Sequence, residues 1–306
     1  MTLNDDSARK TEIACVGAGV MGHSWAVLFA LNGYRVHIQD ISEENLERAL
    51  RWIKEALEIF SKKELIGKRD AESAFNRVRA TTDLSKAVSH ANFVMESVTE
   101  SYEVKRHVFR EMDEVAPEET ILASGSSGLL MTEIQKVTKH PERCIGAHGF
   151  NPPHLIPLVE LVPGEATSKA TVERTYQLME GIGKVPIVVK KEVAWYLGNR
   201  LQNSVYRAAY DIVDSGIASV EEVDLAMSTS LGIRWALYGP FLVSYFNTPS
   251  HLGQRSRTSG LVAEGYHDYS LLKGKSFDDM VRWRNNRLID ILSVLDRLPQ
   301  VSARSC

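Results

Sequence analysis

Between residues 148 and 160 the chain reads His-Gly-Phe-Asn-Pro-Pro-His-Leu-Ile-Pro-Leu-Val-Glu, a histidine and a glutamate in an apolar run broken by prolines. Oxidising an alcohol by hydride loss needs a base for the hydroxyl proton, and imidazole titrates in the range where such a base works. A carboxylate that accepts the far ring N–H fixes the tautomer and stabilises the imidazolium that forms. His148 and Glu160 are candidates for that pair. A turn histidine beside a strand-end glutamate is the plain alternative.

A hydride needs an acceptor. Gly17-Ala18-Gly19-Val20-Met21-Gly22 follows a short apolar run, Glu12–Val16, and opens an apolar helical pattern through Leu31. In that context Gly17 permits a tight turn, Gly19 admits a pyrophosphate to the backbone, and Gly22 allows close helix–strand packing. The helix N-terminus then receives negative charge. Asp40 ends the next strand-like run, placed to accept the ribose hydroxyls of NAD. Ile41-Ser42-Glu43 offers no arginine for a 2′-phosphate, which favours NAD over NADP.

Three further groups are candidates for holding a substrate. Ser124-Gly125-Ser126-Ser127-Gly128 follows a strand-like run at the edge where open α/β sheets bind ligands, although a helix N-cap has the same residue types. Asn199 lies at the start of a helical pattern, where a side-chain amide can hold an oxygen or serve structure alone. Arg234, in Gly-Ile-Arg-Trp-Ala, matches a carboxylate bidentately or forms a surface ion pair.

These residues need a scaffold. Strand-like segments at 12–16, 36–40, 92–98, 120–124, 143–148 and 185–190 alternate with helical patterns, which predicts a doubly wound parallel α/β sheet. Residues 61–80 are charged and weakly patterned, a helical excursion or a loop. After Lys191 the β signals stop, and 193–216, 219–230 and 277–297 read as helices, the last with a Ser276/Asp279 capping box. The expected division is therefore a Rossmann-type domain over 1–191 and a smaller all-α domain over 192–306, with 247–275 a loop or flap.

Composition narrows the class. A formal charge of -3 gives no electrostatic case for nucleic acid. No apolar run approaches the ~18 residues that span a bilayer. Cys15, Cys144 and Cys306 make neither a disulfide framework nor a metal cluster, and the polar N-terminus is unlike a signal peptide, so no metal and a cytoplasmic location are expected.

Taken together, the glycine fingerprint with Asp40, Glu-Ser-Tyr-Glu-Val-Lys at 100–105, Ser-Gly-Ser-Ser, His-x-Phe-Asn-Pro…Leu-Val-Glu, Asn-Arg-Leu and Gly-Pro-Phe resemble the 3-hydroxyacyl-CoA dehydrogenase superfamily, in the family's order from 12 to about 245. Asn-Pro-Pro-His-Leu-Ile-Pro-Leu-Val-Glu-Leu-Val-Pro, Ser-Gly-Leu-Leu and Gly-Ile-Arg-Trp-Ala resemble its branch of L-gulonate and L-carnitine dehydrogenases, which use free 3-hydroxy acids. The resemblance implies His148 as general base oriented by Glu160, Ser127 and Asn199 on the substrate oxygen, and Asn151 in support. Gly17, Gly19, Gly22 and Asp40 would hold NAD, with Glu100 and Lys105 near its nicotinamide half or the substrate. It also implies a homodimer built through the helical domain and a small 3-hydroxy acid as substrate. A CoA-thioester dehydrogenase and a crystallin-like structural protein that binds NAD are the rivals. Ala194-Trp195-Tyr196, Thr99 and Gly149 depart from the residues usual in relatives, where the first of these is Pro-Gly-Phe or Ala-Gly-Phe.

Overall fold

The computed structural model describes residues 11–247 and 269–295. The chain divides into two compact units, residues 1–204 and 205–306. In the first, β1 (Glu12–Val16) leads through the glycine turn into α1 (Val20–Leu31) and β2 (Arg35–Gln39). Helices α2 (Glu43–Lys62) and α3 (Lys68–Asn76), β3 (Val78–Thr81), α4 (Leu84–Val88) and β4 (Phe93–Glu96) follow. Then come α5 (Tyr102–Val115), β5 (Ile121–Ser124), α6 (Met131–Gln135), β6 (Cys144–Gly149), β7 (Leu158–Val162), α7 (Lys169–Gly181) and β8 (Val185–Val188).

The eight strands form one sheet in the order β3-β2-β1-β4-β5-β6-β7-β8. Period-2 alternation sends Ile13 and Cys15 of β1 into the core under α1, α2 and α7, and Ala14 and Val16 into the core under α4, α5 and α6. Both faces are covered, which is why the strands read as apolar runs. The expected α/β doubly wound sheet is the observed one, with two additions. The β3 strand emerges from the charged 61–80 stretch, where Val78 alone faces the core. The β7 strand runs antiparallel to β6, because the short proline-containing connection 150–157 returns the chain directly without a crossover helix. Elsewhere local chemistry sets the helix ends: Gly33 has φ +89° after α1, and the Ser42 hydroxyl caps α2 by accepting from Asn45 N.

In the second unit, reached along α8 (Gly198–Asp214), α9 (Val220–Ala226) passes through a π-helical stretch, Met227–Leu231, into α10 (Gly232–Trp235), followed by α11 (Pro240–Asn247) and α12 (Phe277–Val294). Tyr238, Leu242, Phe246 and Met280 form its core. Ser276 and Asp279 make the expected capping box on α12. The helix expected from 193 starts only at Gly198, because Trp195 and Tyr196 take φ +65° and +46°, a left-handed turn no helix contains. Most of the expected 247–275 loop, residues 248–268, and residues 296 and 297 lie outside the described residues. Among the described residues no helix is long and apolar enough to cross a membrane.

Candidate active site

The carboxyl edge of the sheet collects the candidate residues. Sheet order reverses between β1 and β4, so the turns after these strands face one crevice. Gly17 has φ +96°, and a Cβ there would lie 2.7 Å from the Ser97 carbonyl. A Cβ on Gly22 would meet the Gly17 carbonyl oxygen at 1.7 Å, so the helix can approach the turn only with glycine. The Cβ direction of Gly19 is open, with nothing within 4 Å. The N-terminus of α1 has no side-chain cap and no acid in its first turn. The Ser97 hydroxyl beside this turn is buried and finds no partner among the described residues. Bare amides, open space at Gly19 and an orphaned hydroxyl fit a dinucleotide pyrophosphate. Asp40 is anchored by Ala18 N at 2.9 Å, and by Ser42 N and Asn45 Nδ2 at 3.0 Å each, and stays half-exposed at the end of β2.

His148 and Glu160 lie directly opposite in the antiparallel register. Ile145 and Ala147 fill one core, so His148 points to the other face of the sheet, and antiparallel partners share a face. His148 Nδ1 is 2.8 Å from Glu160 Oε2, and the two residues are 3% and 0% exposed. Glu160 Oε1 accepts from Leu197 N at 2.9 Å and Gly198 N at 2.8 Å. Burial pushes the Glu160 carboxyl up, but the hydrogen bonds from His148 and from these two amides outweigh it and hold the group below its ordinary value. The imidazole lies between Phe150 and Tyr196, with ring centroids at 4.7 and 5.5 Å. Gly198 is needed here, since a Cβ would meet Phe150 Cζ at 2.4 Å.

The turn that holds Glu160 also joins the serine loop. Asn199 Nδ2 donates to the Ser127 carbonyl at 2.9 Å, and Tyr196 OH donates to the Leu129 carbonyl at 2.5 Å. Burial raises the Tyr196 phenol well above its ordinary value, which keeps it a donor. Glu100 Oε1 accepts from Ser126 Oγ at 2.6 Å, Ser127 N at 2.9 Å and Gly128 N at 3.2 Å, so this glutamate shapes the loop. Lys105 is 1% exposed; its ammonium lies 2.7 Å from Glu96 Oε1 and 3.5 Å from Glu100 Oε2. Asn151 is exposed at the start of the loop 151–156, which Ser24 ties down through His154. Lys184 ties the same loop through the Pro153 and Ile156 carbonyls. Burial pushes Lys184 down to about 8. Arg234 belongs to the second unit, on α10, where its guanidinium reaches Ser230 at 3.4 Å.

Comparison with known proteins gives the family. Residues 12–193 match the family model described as 3-hydroxyacyl-CoA dehydrogenase, NAD binding domain, and residues 196–286 match the C-terminal domain of the same family. The chain belongs to the 3-hydroxyacyl-CoA dehydrogenase family. Lambda-crystallin of Oryctolagus cuniculus is 37% identical over 249 residues, 81% of this chain and 78% of that protein. L-carnitine dehydrogenase of Oceanobacillus iheyensis is 37% identical over 231 residues, 76% and 74% of the two chains. The solved (S)-3-hydroxybutyryl-CoA dehydrogenase of Ralstonia eutropha superposes with a TM-score of 0.68 at 31% identity, covering 72% of this chain and 77% of its own. The protein is thus an NAD-dependent dehydrogenase of this family, in the branch of lambda-crystallin and L-carnitine dehydrogenase.

Two residues of this family member escaped sequence reasoning. Glu96 sits 0% exposed at the end of β4, accepting from Lys105, from Val98 N at 2.7 Å and from Ser124 Oγ at 2.7 Å. A glutamate closing the apolar run Phe-Val-Met-Glu was its only signal. Ser97 follows it, and no pattern in the sequence marks its hydroxyl as orphaned.

Proposed function

We propose that the protein oxidises the 3-hydroxyl of a small L-3-hydroxy carboxylic acid to the 3-keto acid, with His148 as general base. The observation that carries this reading is the buried His148–Glu160 pair, whose carboxylate is fixed from behind by two backbone amides. An ionised Glu160 accepts the Nδ1 hydrogen, which leaves Nε2 as the basic nitrogen. His148 takes the substrate's hydroxyl proton at Nε2, and Glu160 balances the charge that appears on the ring. Among the described residues the Ser127 hydroxyl has no partner, and Asn199 keeps a second amide N–H; both donate to the oxygen as negative charge builds there. Asn151 supports the same site.

NAD, when bound, supplies the hydride acceptor. Gly17, Gly19 and Gly22 make room for its pyrophosphate, Asp40 accepts from its ribose, and Glu100 and Lys105 act on the nicotinamide side through the loop and strand end that they hold. Arg234 is assigned the substrate carboxylate, so Arg234→Met is expected to raise KM far more than it lowers kcat. Free 3-hydroxy acids, the class to which gulonate and carnitine belong, are preferred here over CoA thioesters because of the similarity to lambda-crystallin and L-carnitine dehydrogenase. The Rossmann-type unit would carry the chemistry, and the helical unit would form a homodimer through α8 and α9, which have no buried residue among the described ones.

The test is NADH formation from a panel of free 3-hydroxy acids and from 3-hydroxybutyryl-CoA. Turnover of a free acid that His148→Gln abolishes is the expected result. Activity on the thioester far above that on any acid would sink the substrate assignment, and NAD binding without any turnover would sink the enzymatic reading.

A further inference from the structure

The turn between β8 and α8 holds a residue that the mechanism does not use. Trp195 adopts φ +65°, a conformation that costs a bulky side chain energy, and it is followed by Tyr196 at φ +46°. For Tyr196 the cost is offset locally, since its ring is 1% exposed and its hydroxyl donates to Leu129. Trp195 is 54% exposed and lies against Gly128. A large, half-free side chain on a left-handed residue beside the acid–base pair points to function.

The indole's position says which function. A Cβ built on Gly128 would lie 2.8, 3.1 and 3.2 Å from Cε3, Cδ2 and Cζ3 of Trp195, so the six-membered ring lies against that glycine and only glycine tolerates it. Gly128 follows Ser127, whose carbonyl receives the Asn199 amide. Leu197, two residues after Trp195, donates to Glu160 behind His148. The ring therefore stands where the serine loop meets the turn that holds the acid–base pair, with half of its surface free.

The free surface takes what packs on an indole face. A planar aryl group gains both buried area and an offset-stacked or edge-to-face contact there.

Building on the dehydrogenase reading above, we propose that Trp195 determines specificity by providing an aromatic wall, and that the physiological substrate is a 3-hydroxy acid bearing an aryl group. The experiment compares kcat/KM for 3-hydroxy-3-phenylpropanoate and 3-hydroxybutyrate in the wild type, Trp195→Gly and Trp195→Phe, together with quenching of tryptophan fluorescence by the aryl acid in the NAD-saturated protein. Glycine suits the left-handed turn, so that variant is expected to fold with a raised Tm.

The aryl-to-methyl ratio is expected to fall about tenfold in Trp195→Gly, the size of one aromatic contact, with partial recovery in Trp195→Phe. Quenching should disappear with the indole. An unchanged ratio, with both acids still oxidised, overturns the proposal and leaves the dehydrogenase reading standing. Carnitine outrunning the aryl acid in the wild type, with its advantage lost in Trp195→Gly, overturns the aryl assignment in favour of a quaternary ammonium. Failure of the wild type to oxidise any acid overturns both readings.

Discussion

Two buried carboxylates stand at the same edge of the sheet, each with a nitrogen partner, and they differ instructively. Glu96 and Glu160 are each 0% exposed, and each has a cationic or titratable partner within hydrogen-bond distance, Lys105 at 2.7 Å and His148 at 2.8 Å. Lys105 spends its ammonium on Glu96, Glu100 and the Val98 carbonyl, so it has no proton to trade. His148 spends one ring nitrogen on Glu160 and keeps the other. A buried ion pair is thus not a site by itself; what makes one is a partner with a second, uncommitted function next to donors such as Ser127 and Asn199.

The largest expected effect separates the two pairs directly. His148→Gln should lower kcat by about 10²- to 10⁴-fold, the usual worth of a positioned base, and leave Tm within a few degrees of the wild type. Lys105→Met should do the opposite. Stranding the Glu96 carboxylate is expected to cost about 3–5 kcal/mol of stability, read as a lower midpoint of urea unfolding, while kcat of the protein that remains folded falls far less than in His148→Gln. If both variants lost stability alike and neither lost kcat selectively, the two pairs would be equivalent and the assignment of His148 wrong.

Glu160→Gln sharpens the same contrast through pH. The folded-state pKa of Glu160 lies below its ordinary value, so its contribution to stability is present above about 4.5 and is lost as pH falls through the lower folded value. Thermal unfolding of the wild type should weaken across that acid window, and the variant should show a flatter acid limb. The glutamine amide also cannot balance an imidazolium, so a fall of roughly 10- to 100-fold in kcat/KM is expected, smaller than for His148→Gln. An acid limb identical to that of the wild type would mean that Glu160 is not held ionised by its neighbours.

Much of this edge is legible in the sequence. The glycine fingerprint and Asp40 were readable because each has a steric or electrostatic task that few residue types perform; the 1.7 Å approach at Gly22 is the sort of constraint such a motif encodes. His148 and Glu160 were readable as a pair by type, but not as cross-strand partners, since β7 is a five-residue apolar run behind a proline and its antiparallel direction depends on the tertiary fold. Lys105 was legible by motif, but its burial was not, because a lysine on an amphipathic helix normally faces water. The left-handed turn at 195–196 was hidden for the same physical reason. Local propensity continues the helix back to 193, and the hydrogen bonds from Leu197 and Gly198 to Glu160, with the buried Tyr196 donating to Leu129, hold the chain out of it.

The smallest effect asks whether the Glu96 side of the edge is structural throughout. Ser97 comes directly after Glu96, and its buried hydroxyl is unpaired while the backbone around it is fully engaged, with Ser97 N donating to the Val16 carbonyl at 2.7 Å. Burying a hydroxyl without a partner costs stability, so Ser97→Ala should leave the Tm of the NAD-free protein unchanged or slightly higher. The group adjoins Gly17, whose absent Cβ would press on the Ser97 carbonyl, which places it under the turn assigned to the pyrophosphate. If the hydroxyl is held in readiness for the dinucleotide, its loss should weaken NAD binding by about 0.5–1.5 kcal/mol, roughly 2- to 12-fold in Kd by calorimetry, and reduce the rise in Tm that NAD produces. Unchanged affinity would instead assign Ser97 to the structural half of the comparison, alongside Glu96, and leave the pyrophosphate contacts to the glycine turn.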